Sequence, residues 1–183
     1  LMQPLPYKQL ARIERIPGVK QVTPFTFFGG IFRNETATGW AQFAVDPARF
    51  RALIIEGRIT DGSFEDFIKD RNSCLMGRDT MERYGLQVGD PVKLTGTFYP
   101  VDLELRVAAV YSGTVDDRNC FFHHDLLDKL MGGWGMTGAW RRRCMRWGRR
   151  VYRRLRGSGG LYCRPGWRLV RCGGWRRGSG CRS

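Results

Sequence analysis

The clearest pattern in the chain runs from Val101 to Ala109. Val101, Leu103, Leu105, Val107 and Ala109 alternate with Asp102, Glu104, Arg106 and Ala108. A period of two places the apolar set on one face of a strand and the charged set on the other, so one face is expected to be buried and the other wet. Tyr99-Pro100 breaks the chain just before, and Val92–Phe98 and Val101–Val110 are expected to pair as a hairpin. A slip of one residue would expose the whole apolar set, which specifies the register strongly.

Upstream the period changes. Leu10, Ile13 and Ile16 share one helical face and predict a short helix from Tyr7 to Ile16, stopped by Pro17-Gly18. Val19–Phe28 is rich in β-branched and aromatic residues and predicts a strand, with Pro24 placing it at an edge or a bulge. Gly29-Gly30 marks a bend. Ile31-Phe32 and Thr38–Val45 predict further strands, the second with Ala41, Phe43 and Val45 on one face.

Asp46 is a good N-cap, and Pro47 suits the first position of a short helix reaching Leu53. Asp61-Gly62-Ser63 predicts a turn, with Ser63 capping a helix through Ile68 or Lys69. Ser73–Met76 predicts a short apolar strand. Arg78–Tyr84 predicts a helix ended by Gly85 as its left-handed cap. Leu86 and Val88 are then expected to pack inward, and Gly89-Asp90 to turn into the strand from Val92. Asp116–Asn119 reads as a polar loop, and a helix begins at His124 or Asp125 and runs through Leu130. Short strands mixed with short helices predict an α+β fold.

Length and charge change the picture in two ways. A chain of 183 residues can bury a real core without help from disulfides or metals. It contains no apolar run of about 18 residues, so no helix of this sequence is expected to span a membrane. Residues 1–20 lack the layout of a signal peptide, and Leu1-Met2-Gln3-Pro4 reads as the interior of a longer protein. The net charge of +14 is confined to one end: residues 1–131 hold 16 Lys and Arg against 17 acidic residues, while residues 132–183 hold 15 Arg and no acid. A nucleic-acid or anionic-membrane partner therefore finds no support in the first 131 residues.

Residues 132–183 form a segment of their own. Arg, Gly, Trp, Cys and Ser fill 40 of its 52 positions, and each of these types is encodable with G at the second codon position. A GC-rich gene read out of frame gives this bias, and the frame is expected to be lost near Trp140-Arg141, leaving no native fold beyond. Three other readings stay open: an Arg/Gly-rich arm that binds RNA, a zinc module, and an amphipathic surface helix around Trp140–Leu155. Cys144, Cys163, Cys172 and Cys181 are spaced 19, 9 and 9 apart with no histidine near them, which fits zinc ligation poorly.

The search for catalytic chemistry finds no assembled site. His123 and His124 are the only histidines; as neighbours at a helix start they diverge, and surface or cap roles are expected. Cys74 and Cys120 lie in apolar stretches and read as buried small residues rather than nucleophiles. Glu65-Asp66 and Asp116-Asp117 are the adjacent acidic pairs, and solvated helix and loop positions account for them. Phosphate-loop, nucleophile-elbow and zinc-protease motifs are missing. Asn34-Glu35-Thr36 fits a glycosylation triplet too common to weigh. Phe25, Phe27, Phe28 and Phe32 read as core or as a partner surface beside Gly29-Gly30. No enzyme, cofactor or metal is expected.

The order of three junctions carries a resemblance. Ile16-Pro17-Gly18-Val19 follows the opening helix; Asp46-Pro47 follows the second strand region after Val45; Leu75-Met76-Gly77-Arg78 leads to Gly85-Leu86-Gln87-Val88-Gly89-Asp90 and a hairpin. Over roughly Leu5–Met131 this series resembles the MacB-like periplasmic core domain of FtsX-like ABC transporter permeases. The resemblance implies a domain of residues 1–131 with a porter-like α/β sandwich part built from residues 1–45 and 110 onward, and a β-rich insert at about 46–109. It implies an extracytoplasmic domain of a bacterial inner-membrane permease, coupling ATP hydrolysis by a partner ATPase to export or lipoprotein release. Its implied partners are that ATPase subunit, the membrane helices of the full-length permease and a periplasmic protein, with a dimeric transporter and no specific nucleic acid. The competing reading is a binding protein whose basic tail contacts nucleic acid.

Overall fold

The apolar segments assemble around one mixed sheet. The computed structural model describes residues 5–33, 39–52, 57–137 and 139–143. In chain order the elements are β1 (Leu5–Pro6), α1 (Gln9–Glu14), β2 (Val19–Phe27), β3 (Ile31–Phe32), β4 (Gln42–Val45), α2 (Pro47–Arg51), β5 (Arg58–Gly62) and α3 (Phe64–Lys69). Then follow β6 (Ser73–Gly77), α4 (Arg78–Tyr84), β7 (Pro91–Thr95), β8 (Asp102–Ser112), β9 (Cys120–His123), α5 (His124–Leu130), β10 (Met136–Thr137) and β11 (Ala139–Arg143). The glycosylation triplet, the start of the strand expected at Thr38, Leu53 and everything after Arg143 lie outside the described residues.

A nine-stranded sheet runs in the order β11-β2-β4-β9-β6-β8-β7-β3, with β5 beside β8, and β1 pairs separately with β10. β4 runs parallel to β9 and β6 parallel to β8, while β6 and β9 are antiparallel. Strands β5 to β8, from the middle of the chain, thus join β4 and β9 in one continuous sheet. β10 and β11 carry pairing past residue 131.

The central strands β4, β6 and β9 are covered on both faces. Ala44, Cys74, Met76, Val107, Cys120 and Phe122 face one apolar layer together with Met81 of α4 and Leu127 of α5. Val45, Leu75, Ala109, Tyr111 and Phe121 face the other with Phe50 of α2 and Phe67 of α3. Strands buried on both sides read as continuous apolar runs rather than alternations. That is why every residue of β6 and of β9 is buried.

The hairpin forms as the alternation requires. Leu103, Leu105 and Val107 are buried and Asp102, Glu104 and Arg106 exposed, with Val92 opposite Leu105 and Leu94 opposite Leu103. Lys93 lies opposite Glu104 and forms an exposed ion pair at 2.7 Å. The period breaks at a bulge where β8 passes Cys74 and Leu75, and the strand continues to Ser112.

Several expectations need correction. Val88 is 37% exposed, because the Gln87–Asp90 turn points it outward, away from the core that receives Leu86. Asp61 and Gly62 belong to β5 rather than to a turn, since the long β8 offers them an unpaired flank. β2 is not an edge strand: β11 pairs along it, and Pro24 sits opposite Ala139 just before the β4 ladder begins at Phe25. β11 also continues to Arg143, three residues past Trp140, where no further fold was expected. Backbone pairing asks nothing of the side chains, so the arginine-rich composition did not forbid it.

Candidate functional site

Each of the three sequence junctions is a local backbone device. In the first, Val19 N–H donates to Ile16 O at 3.0 Å, and Gly18 takes φ +86°, turning α1 into β2. In the second, Asp46 Oδ1 accepts from Ala48 N–H at 3.1 Å and Arg49 N–H at 3.3 Å, with Pro47 at the start of α2. In the third, Gly85 adopts φ +63°, ψ +34° and lets Leu86 N–H return to Met81 O. Asp90 Oδ2 then accepts from Gln87 N–H, Gly89 N–H donates to Val107 O, and Val107 N–H donates to Asp90 O. The turn is thereby sewn to the middle of β8.

The first two junctions are knitted together through Arg49, which the sequence did not single out. Its guanidinium lies 3.4 Å from Glu14 of α1 and 3.4 Å from Asp46, and donates to Val22 O of β2. The three-residue spacing from Asp46 was the available signal. Asp46 N–H also donates to Thr23 Oγ1. Removing the cap by Asp46→Ala is expected to lower stability by about 1 kcal/mol, read by urea denaturation. The third junction instead borders an open groove of about 500 Å³ between β5 and α4, where Leu86 and Val88 stand near Asp61 and Arg78.

The polar residues named as candidates are taken up by structure. Glu65 pairs with Arg51, and Asp66 N–H in the first turn of α3 donates to Ser63 Oγ. Asp116 pairs with Arg118 at 2.8 Å. Asp117 accepts from Gly113 N–H, Thr114 N–H and Thr114 Oγ1. Burial opposes its charge, but these bonds and Arg78 prevail and hold its carboxyl below the usual carboxylate range. Tyr111 Oη, whose phenol burial pushes far up, ties the same loop down through Asp116 O and Asn119 O. Among the described residues no three His, Cys, Asp or Glu side chains converge as metal ligands do.

The histidines are buried, not at the surface. His123 and His124 are 7% and 3% exposed. They diverge, as neighbours at a helix start must: His123 Nε2 donates to Phe67 O at 2.6 Å and His124 Nε2 to Met136 O at 3.2 Å. Burial lowers both pKa values, so the folded state favours neutral rings. Above about pH 6.5 both states are neutral and nothing is lost. As the pH falls below that, the unfolded chain takes up protons that the folded chain refuses, and stability falls. The melting temperature is expected to drop between pH 7 and 5, and to drop less in His123→Gln. An unchanged slope in that variant would contradict the assignment.

Of the aromatic stretch, Phe28 and Phe32 are core. Phe25 and Phe27 are half-buried; Phe25 stacks on Phe43 at a ring distance of 4.3 Å and Phe27 meets it tilted at 5.8 Å, while Phe98 beside Phe27 is 72% exposed.

The description of a MacB-like periplasmic core domain matches residues 2–150 of this chain. The chain belongs to that family. The fold agrees: the periplasmic region of MacB from Actinobacillus actinomycetemcomitans superposes with a TM-score of 0.58 at 14% identity, covering 84% of this chain and 71% of that one. The extracellular domain of the noncanonic ABC-type transporter YknZ from Gram-positive bacteria gives 0.56 at 14% identity, covering 76% and 73%. No curated protein sequence matches. By family the MacB-like domain is an extracytoplasmic domain of an ABC transporter permease, and its α+β mixed sheet is that of its structural relatives. No helix among the described residues is long and apolar enough to cross a membrane.

Proposed function

We propose that this domain works as a mechanical coupler without catalytic residues. On this reading a partner ATPase hydrolyses ATP on the cytoplasmic side, the membrane helices of the full-length permease move, and the domain carries that motion to substrate export or lipoprotein release outside. The permease acts in the bacterial inner membrane as a dimer and meets a further protein in the periplasm. The observation that carries the reading is the family match over residues 2–150. It is supported by central strands packed between two apolar layers, which suits a body that turns without deforming.

The test is transport-coupled ATPase activity in the reconstituted full-length permease. His123→Gln, His124→Gln, Cys74→Ala and Cys120→Ala are expected to keep coupling largely intact per correctly folded complex. Asp90→Ala, which unpins the turn from Gln87 N–H, is expected to weaken coupling through the β7–β8 hairpin. If one histidine or cysteine change abolished activity while folding and assembly stayed normal, the mechanical reading would fail.

A further inference from the structure

One flank of β5 meets no other strand among the described residues. β5 pairs with β8 on one side, along the part of β8 that β7 leaves free. Every residue of β5 is exposed, Ile59 at 40%. A bulge between Ile59 and Asp61 leaves Thr60 without a position opposite it on β8. Ile59 therefore lies opposite Tyr111 and Asp61 opposite the next residue, Val110, while Arg58 lies opposite Ser112. Tyr111 and Val110 face different apolar layers, so Ile59 takes one face of the strand and Arg58 and Asp61 share the other. In a regular strand, residues three apart would point to opposite faces. Neither Arg58 nor Asp61 enters an ion pair among the described residues; Asp61 Oδ1 accepts from the adjacent Gly62 N–H at 2.8 Å. Open grooves of about 500 and 250 Å³ border the strand, one beside Thr60 and Asp61 and one beside Ile59, so neither face of this edge is walled off.

We infer that β5 is a docking edge for a second copy of this chain, joined to it as a two-fold antiparallel β5–β5 ladder. The inference takes up the dimer proposed above and gives it a surface in this domain. The free edge calls for an extended backbone, whose N–H and C=O groups complete the row that β5 leaves open. Charge selects a second copy as that backbone. With Thr60 outside the new ladder, as it is against β8, Ile59 meets Ile59 of the second copy on the two-fold axis. Arg58 then lies opposite Asp61 of the second copy on one side of the axis, and Asp61 opposite Arg58 of the second copy on the other. The bulge makes this possible, because it brings both charges to one face. The result is self-complementary, as an isologous contact has to be: one apolar pair at the centre and an ion pair on each side. Opposite charges directly across a strand pair stabilise it, and like charges weaken it. Two strands of five residues make an interface smaller than a stable free dimer needs. The contact is therefore weak in dilute solution and forms where two domains are held at an effective concentration of about 1 mM, as in one dimeric permease.

The experiment is sedimentation equilibrium of the full chain at concentrations up to about 1 mM, with amide hydrogen exchange at residues 58–62 followed over the same range. The wild-type chain is expected to dimerise, and its β5 amides to become protected as it does. Arg58→Asp and Asp61→Arg each set like charges against each other at both ends of the ladder, and each is expected to weaken the dimer about tenfold or more. The double variant Arg58→Asp/Asp61→Arg restores both ion pairs with their signs exchanged and is expected to regain wild-type association. Thermal melting checks that each variant is folded; should a single reversal unfold the chain, the concentration dependence of exchange in the wild type decides. A chain that stays monomeric at about 1 mM, a dimer indifferent to the single reversals, or a double variant no better than the singles would overturn the proposal. So would β5 amides protected equally at every concentration, since the edge would then be covered from within the chain. Transport-coupled ATPase activity remains the separate test of the mechanical reading: uncoupled transport with an intact β5 dimer would sink that reading and leave this one standing.

Discussion

Phe122→Ala is expected to cost about 3–5 kcal/mol, a large share of the stability of a domain this size. Phe122 is fully buried in β9, opposite Ala44 on one side and Cys74 on the other, and its ring meets Phe28 edge-on at 5.7 Å. Its neighbours on the two flanking strands are held by backbone ladders and cannot close the gap. The loss therefore combines transfer and cavity contributions. Urea denaturation should show a lower midpoint with an unchanged slope. A cost below about 1 kcal/mol would mean that the layer repacks freely, contrary to the two-sided packing described here.

Gly77→Ala is expected to be the other severe change, at about 3 kcal/mol or more. The reason is not conformational freedom, since Gly77 has an ordinary extended backbone with φ −73°. A Cβ there would stand 2.0 Å from Asp117 O and 2.4 Å from its carbonyl carbon. Those atoms cannot retreat cheaply. Gly77 N–H donates to Asn119 O, Asp79 N–H to Asp117 O and Thr80 Oγ1 to Arg118 O, pressing the 116–119 loop flat against the start of α4. Gly85→Ala makes the comparison: φ is +63° but no atom lies within 4 Å of the added Cβ, so the cost should stay near 1 kcal/mol. Equal costs at the two positions, measured by denaturant unfolding, would show that close backbone approach is not what Gly77 provides.

The two glycines also separate what could be read in the chain from what could not. Gly85 was legible because a helix pattern followed by glycine is a local signal, and the αL cap is a local structure. Asp46 with Pro47, Ser63 before α3, and the alternation of β8 were legible for the same reason. In each, the residues that make the contact lie within a few positions of one another, or the period itself states which face is buried. The order of these junctions was enough to point to the family that the match over residues 2–150 shows.

The rest required the assembled sheet. β9 is four residues, Cys-Phe-Phe-His, with no period to read, and it is a strand because β4 and β6 flank it. β5 carries no apolar alternation and is held by the free flank of β8. His123 and His124 are buried because β9 and α5 deliver them beneath Phe67 and Met136, carbonyls that are distant or non-helical neighbours in sequence. The reach of Arg49 to Glu14 and to Val22 O follows equally from pairing between segments far apart along the chain. A local signal records only the neighbours a residue has before folding; contacts across strands exist once the register is chosen, and the register is settled by which positions the assembled sheet buries.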